Sequence, residues 1–231
     1  MNKIHNFQSE LIKKVQLTES IYLLDYIIPD TFVFTPGQFV GARVIPTHTR
    51  AYSVADINNN LMTLLVDVKP QGIASKYFEK VQVGESTNLL GPYGIYKVKD
   101  TDLPKVFVST GTGIAPFVAM IKDLRKNKPN IPVYNFFGIK VMEHDIALPF
   151  FKDLLADNFK FINCVSRQEI ENLNAVNNQE IKKGRATEVI PTYNFDWVNT
   201  EFYVCGGPEM VTSTAILLKE LGADKIYIEK Y

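Results

Sequence analysis

Val106-Phe107-Val108-Ser109-Thr110-Gly111-Thr112-Gly113-Ile114-Ala115-Pro116 is the stretch that decides the fold. Three apolar residues read as a strand, the two glycines as a tight turn, and Pro116 as the first turn of a helix, where its missing N–H costs nothing. The helix is expected over about residues 115–126. A strand–glycine turn–helix lets backbone approach a phosphate and aims free N–H groups at the anion. It is not a P-loop, because no Gly-Lys-Ser/Thr follows, and it is not a full GxGxxG.

Outward toward the C-terminus the rhythm repeats. Strands are expected at Val133–Phe137, Phe161–Val165, Phe202–Cys205 and Ile226–Ile228, and helices at about 146–156 and 208–221. Alternating β and α of this length means βαβ units and a Rossmann-like α/β parallel sheet. A second glycine turn, Cys205-Gly206-Gly207-Pro208-Glu209-Met210, follows its strand as the first does. Ligands of open α/β sheets lie beyond the carboxyl ends of the strands, so both turns point at one rim. The Asn-rich stretch 172–178 reads as a surface loop, and Lys182-Lys183 as a solvated helix end.

Toward the N-terminus the segments are short and rich in β-branched and aromatic residues. Examples are Ile21–Leu24, Phe39–Ile45 and Leu61–Val68, separated by turn signals at Pro36-Gly37, Asn58–Asn60, Val83–Glu85 and Gly91-Pro92. That pattern predicts an antiparallel β-barrel with one short helix over Ala74–Lys80. The domains are expected at 1–99 and 100–231, with a boundary near Lys97–Leu103. Within the first half, Arg50-Ala51-Tyr52-Ser53 puts a cation, an aromatic and a hydroxyl in four residues. Alternation sets Arg50 and Tyr52 on one face and Ser53 on the other. Arginine grips phosphate bidentately and tyrosine stacks on flat rings. Gly72-Ile73-Ala74-Ser75 opens the short helix with N–H groups and a hydroxyl suited to a pyrophosphate.

Composition excludes several classes. With 25 Lys+Arg against 25 Asp+Glu the net charge is zero, which removes the usual sign of nucleic-acid binding. No apolar run is long enough to span a membrane. Two cysteines, Cys164 and Cys205, without CxxC or Cys/His spacing, leave neither a disulfide framework nor a metal site. His5, His48 and His144 are far apart and read as surface or local structural residues. The first seven residues lack a signal peptide's apolar core, so a reducing cytoplasm is expected.

Five motifs in order, Arg-x-Tyr-Ser, Gly-x-x-Ser, Gly-Pro-Tyr-Gly (91–94), Gly-Thr-Gly-Ile-Ala-Pro and Cys-Gly-Gly-Pro-x-Met, resemble the ferredoxin–NADP reductase-like flavoproteins over nearly the whole chain. The resemblance implies an FAD-binding barrel followed by an NAD(P)-binding domain. It implies that Arg50 binds the flavin pyrophosphate, beside Ala51, that Tyr52 stacks on the isoalloxazine and that Ser53 bonds near flavin N5. Gly72, Ile73, Ala74 and Ser75 would cradle the FAD phosphates. Thr110, Gly111, Thr112 and Gly113 would receive the nicotinamide dinucleotide, with Cys205 and Gly206 beside the nicotinamide. The ending Ile228-Glu229-Lys230-Tyr231 is similar to that of plant-type reductases, where the last tyrosine covers the outer flavin face; Tyr231 would do so here, with Glu229 polarising the site. Ser166-Arg167 after the third strand, with Lys182, Lys183 and Arg185 near, favours NADP over NAD, since the 2′-phosphate needs a cationic clamp.

The implied activity is hydride transfer between NAD(P)H and FAD, then electron delivery to a small carrier such as ferredoxin or flavodoxin, by a monomer or weak dimer without metal. Two alternatives stay open. One is an NADH-dependent free-flavin reductase or oxygenase reductase component. The other is an electron-transfer subunit of a larger complex, against which both chain ends read as complete.

Overall fold

The computed structural model describes residues 4–171 and 179–230. The chain divides into two compact units, Met1–Val98 with Ala115–Met120, and Lys99–Ile114 with Ile121–Tyr231.

In the first unit β1 (His5–Gln16), β2 (Ile21–Ile27), β3 (Phe39–Ile45), β4 (His48–Asn58), β5 (Leu61–Asp67) and β6 (Ser86–Tyr93) close into a barrel in the order β1-β2-β5-β4-β3-β6. Every neighbouring pair is antiparallel. Period-two alternation turns Leu24, Tyr26, Val40, Val54, Met62, Leu64 and Leu89 inward, where they are buried together. The helix α1 (Ile73–Lys80) adds Ala74 and Phe78 to this core. Gly91-Pro92, expected as a turn, instead lies inside β6. The strand continues because Gly91 adopts φ +153° where the ladder to β3 shifts register.

In the second unit β7 (Lys105–Thr110), β8 (Val133–Ile139), β9 (Phe159–Val165), β10 (Gln179–Lys183), β11 (Glu201–Gly206) and β12 (Lys225–Lys230) form a parallel sheet in the order β10-β9-β8-β7-β11-β12. Its helices are α3 (Leu148–Phe151), α4 (Ala186–Val189) and α5 (Pro208–Glu220), and α2 (Ala115–Asn127) belongs to it from Ile121 on, its first residues, Ala115–Met120, counting with the first unit. Val106, Val108, Phe136, Ile162, Phe202 and Val204 line one sheet face and share a core with Val189 of α4 and Val211 and Leu218 of α5.

Two expectations fail here. The helix expected over 146–156 is a single turn, Leu148–Phe151: Phe151 packs edge-on against Phe159 and Phe161, and the chain doubles back through a bridge from Ala156 to Phe159 to start β9. Lys182 and Lys183 are no helix end but close an edge strand, paired with Cys164 and Val165. The loop expected over 172–178 lies outside the described residues.

Candidate functional site

In the second unit the two glycine turns dovetail. β7 and β11 are neighbours, with Cys205 opposite Ser109, so the turns leaving them lie side by side. Gly111 takes φ +54°, open to glycine at no steric cost, and starts the 3₁₀ turn Gly111–Ile114 that leads into α2. A Cβ on Gly113 would stand 2.4 Å from the carbonyl oxygen of Cys205. A Cβ on Gly206 would meet Met210 Cε at 2.5 Å and Thr110 Oγ1 at 2.9 Å. Glycine at 113 and 206 is therefore set by one turn pressing on the other. Both helices start without a side-chain cap, with a proline in the first turn, and nothing lies within 4 Å of a Cβ on Gly207, the N-cap of α5. Uncapped N-termini at one rim leave backbone donors for an anion.

Cys205 is buried, and burial with the nearby Glu229 carboxyl pushes its thiol pKa far up. It stands as a neutral thiol, a shape more than a nucleophile. Glu229 stands opposite it on β12, half-buried, and desolvation raises its carboxyl above the usual 4.5. Tyr231 lies outside the described residues.

The third and fourth strands of the α/β unit end in a basic corner. Ser166 N–H and Oγ both donate to the Ile139 carbonyl, at 3.0 and 3.2 Å, and Arg167 N–H donates to the Lys140 carbonyl at 2.9 Å. Met142 N–H donates to Gln168 Oε1 at 2.8 Å. These bonds fix the turn and leave the Arg167 side chain exposed, with no carboxylate partner among the described residues. Lys182 pairs with Glu180 at 3.4 Å, and Lys183 with Glu169 at 2.6 Å. Neither is the unengaged cation the sequence suggested. The cleft lined by Ala156, Asp157, Lys160 and Glu180 sits at the opposite, amino-terminal ends of β9 and β10 and is occupied by the Lys160–Glu180 ion pair.

In the first unit Arg50 is exposed on β4, and among the described residues its guanidinium bonds only the Thr49 carbonyl, at 3.2 Å. Ala51 is exposed beside it, and Ser53 is half-buried opposite Phe39. Tyr52 shares the face of Val54. Its ring packs on the barrel core, edge-on to Phe78 at 5.0 Å, and burial pushes its hydroxyl up to about 12. The N-cap of α1, Gly72, has extended backbone, no side-chain cap, and open space where a Cβ would stand. Ile73 is exposed next to it, whereas Ala74 and Ser75 are buried, Ser75 to 7% exposure, so the backbone of this turn is more available than the Ser75 hydroxyl. An unpaired cation, a half-exposed aromatic ring and an open uncapped helix start are the chemistry a flavin dinucleotide requires. The residues fit that group.

Sequence reasoning missed Phe78, behind Tyr52, and the buried pair Lys105–Glu201 at 3.0 Å under the sheet. Phe78 is legible as the residue six after Gly72 on the short helix. A lysine directly before an apolar strand carries no signal of a partner about a hundred residues away. Among the described residues no cluster of His, Cys, Asp and Glu could hold a metal, and no helix is long and apolar enough to cross a membrane.

Two family profiles match, the oxidoreductase FAD-binding domain over residues 8–98 and the oxidoreductase NAD-binding domain over residues 107–215. The toluate 1,2-dioxygenase electron transfer component of Pseudomonas putida is 26% identical over 97% of the chain and 67% of its own length. The propane 2-monooxygenase reductase component of Mycolicibacterium smegmatis is 27% identical over 83% of the chain and 57% of its own length. The chain thus spans between 57% and 67% of these relatives. Among solved structures, a cytochrome P450 reductase of Amycolatopsis superposes with TM-score 0.88 at 20% identity, over 100% of this chain and 71% of that one. A ferredoxin NADP+ reductase of Neisseria gonorrhoeae with bound FAD and NADP superposes with TM-score 0.79 at 21% identity, over 97% of this chain and 98% of that one.

Proposed function

Because the chain belongs to the ferredoxin–NADP reductase-like flavoproteins, with an FAD-binding barrel followed by an NAD-binding α/β domain, we propose that it is an oxidoreductase that takes hydride from NADPH and feeds electrons to a small carrier such as ferredoxin or flavodoxin. FAD, when bound, supplies the hydride acceptor and the means to release electrons one at a time.

The chain's own residues bind and orient. Arg50 neutralises the flavin pyrophosphate together with the α1 backbone at Gly72 and Ile73, with Ala74 and Ser75 completing that turn. Tyr52 offers a ring already desolvated on its inner side, with Ser53 the hydroxyl toward the reactive edge. Thr110, Gly111, Thr112 and Gly113 receive the dinucleotide phosphates at the start of α2. Gly206 lets that backbone approach, and the neutral Cys205 thiol shapes the nicotinamide pocket without competing as a nucleophile. Glu229, its proton held more tightly than in water, serves as a proton store at the same rim, and Tyr231 as the cover. Ser166 and Arg167 select the 2′-phosphate, with Arg185 in support. Hydride transfer needs held geometry and excluded water, and a buried rim built by two interlocked turns gives both. The observation that carries the reading is that interlock, Gly113 against the Cys205 carbonyl.

The relatives favour a second reading, the reductase component of an oxygenase, since both named above serve oxygenases; NADH is the donor that goes with that reading. Loading the protein with FAD and titrating it anaerobically with NADPH and NADH separates the two. Ferredoxin, flavodoxin and free flavins then serve as acceptors. Bleaching by NADPH at lower concentration than NADH supports the first reading. A protein that takes up no FAD refutes both. The two cysteines, buried and unpaired, support a cytoplasmic setting.

A further inference from the structure

The barrel contains a shelf behind Tyr52. Phe78, fully buried on α1, meets the Tyr52 ring at 5.0 Å and 77° and the Tyr77 ring at 5.2 Å and 83°. Tyr77 is tied at its far end: its hydroxyl lies 2.8 Å from Thr87 Oγ1. Thr87 is 2.9 Å from the hydroxyl of Tyr26, at the centre of the core. The last turn of α1 is held from the other side by Lys14, whose ammonium donates to the Glu79 and Val81 carbonyls at 2.8 and 2.9 Å. The helix is therefore anchored at three points along its second half, while its first residues, Gly72 and Ile73, remain exposed and uncapped. Ties on both sides of the helix oppose its rolling, and Phe78, carried on it, is held against Tyr52.

We propose that Phe78 is a positioning residue, which fixes the tilt of the Tyr52 ring for stacking and couples that tilt, through the rigid α1, to the phosphate cradle at Gly72–Ser75. The inference rests on the reading of Tyr52 as the flavin-stacking side chain. An unsupported tyrosine swings about two torsions; an edge-to-face contact at 5.0 Å confines it to one orientation, and preorganisation of this kind raises affinity by lowering the cost of ordering. Because cradle and shelf sit on one helix, a ligand that spans both meets them at a fixed separation.

The test is FAD binding to Tyr52→Leu, Phe78→Leu and the double variant, read by flavin fluorescence quenching and by the visible circular dichroism of the bound flavin. Phe78→Leu keeps an apolar side chain and removes the ring edge. It is expected to weaken FAD by about two- to tenfold and to diminish the flavin dichroism. The double variant should bind no worse than Tyr52→Leu alone, since Phe78 acts only through Tyr52. If Tyr52→Leu leaves affinity and spectrum unchanged, the stacking reading itself fails, and the inference with it. If Tyr52→Leu weakens binding while Phe78→Leu leaves the dichroism intact, or if the two losses simply multiply, the shelf alone is refuted. Should Phe78→Leu not fold, Tyr77→Phe decides: it removes only the hydroxyl, with its ties to Thr87 and to the Ser86 carbonyl, so reduced dichroism supports the shelf and an unchanged spectrum overturns it.

Discussion

Replacing Lys105 by methionine is a stringent probe of the α/β unit, because the structure fixes what is left behind. The ammonium is fully buried and has four acceptors, Thr101 Oγ1 at 2.7 Å, the Leu103 carbonyl at 2.9 Å, Glu201 Oε2 at 3.0 Å and the Thr101 carbonyl at 3.2 Å. Glu201, 1% exposed, also accepts hydroxyls from Thr101 at 2.8 Å and Tyr203 at 2.6 Å. Burial alone lowers the Lys105 pKa and Glu201 opposes it, so the charged lysine persists through its partner. Lys105→Met strands a carboxylate that keeps two hydroxyl donors and loses the one counter-charge it has among the described residues. Breaking a buried pair on one side costs about 3–5 kcal/mol. At roughly 2–4 °C per kcal/mol for a chain of this length, that lowers Tm by about 6–20 °C. Lys105→Met/Glu201→Gln removes both charges and keeps an acceptor for the hydroxyls, so about half of the loss should return. Urea unfolding followed by Trp197 reads the right unit: it is the chain's single tryptophan and stacks on Phe202, next to Glu201. A loss under about 1 kcal/mol, or a double variant equal to the sum of the singles, would refute an electrostatically coupled pair.

Arg167→Ala should raise the NADPH KM by about 10- to 150-fold, the loss of one charged hydrogen bond, and leave NADH within twofold; equal losses would remove Arg167 as the discriminator. Glu229, raised above 4.5 by burial, binds its proton more tightly in the folded chain, so its favourable contribution is complete below pH 4.5 and is lost as pH rises through the folded value. Glu229→Gln should therefore flatten the stability–pH curve just above 4.5, and chemical denaturation from pH 4 to 7 checks it. Asn135 is fully buried with neither amide atom bonded among the described residues, so the isosteric Asn135→Leu should raise unfolding free energy by about 1–3 kcal/mol; a loss of stability would show that the amide has a partner in solution.

What could be read in the chain follows from which forces are local. Glycine at 111 and 113 and the proline at 116 announce their turn because φ and N–H constraints act within a few residues, and the structure has strand, turn and helix there. The barrel strands were legible by alternation. The single-turn α3 was not, because its length is set by Phe151 reaching Phe159 and Phe161 across the sheet, a contact sequence order hides. Gly91-Pro92 misled for a related reason: a bulge and a turn use the same residues, and only the β3 partner tells them apart. Lys182 and Lys183 looked like available cations because their carboxylates, Glu180 and Glu169, are engaged through strand pairing and a loop tie.

The sheet itself explains why one rim became the site. On the face of Phe107 and Tyr203 the α/β unit stacks aromatic rings, Phe107 on Tyr203 at 5.2 Å and Tyr203 on Tyr227 at 5.0 Å. Under them lies the Lys105–Glu201 pair; one step above, in the direction the strands run, lie Ser109, Cys205 and Glu229. Within residues 201–206 β11 thus passes from a satisfied buried charge through stacked rings to the buried Cys205, whose neighbour across the ladder on β12 is the half-buried carboxyl of Glu229. At the amino-terminal end Lys105, Glu201, Thr101 and Tyr203 satisfy one another, and the groups with unmet capacity, Glu229 and the uncapped helix starts, gather at the carboxyl end. A parallel sheet makes that polarity unavoidable, since all six strands end on one side, and binding chemistry is what the fold leaves there to be satisfied.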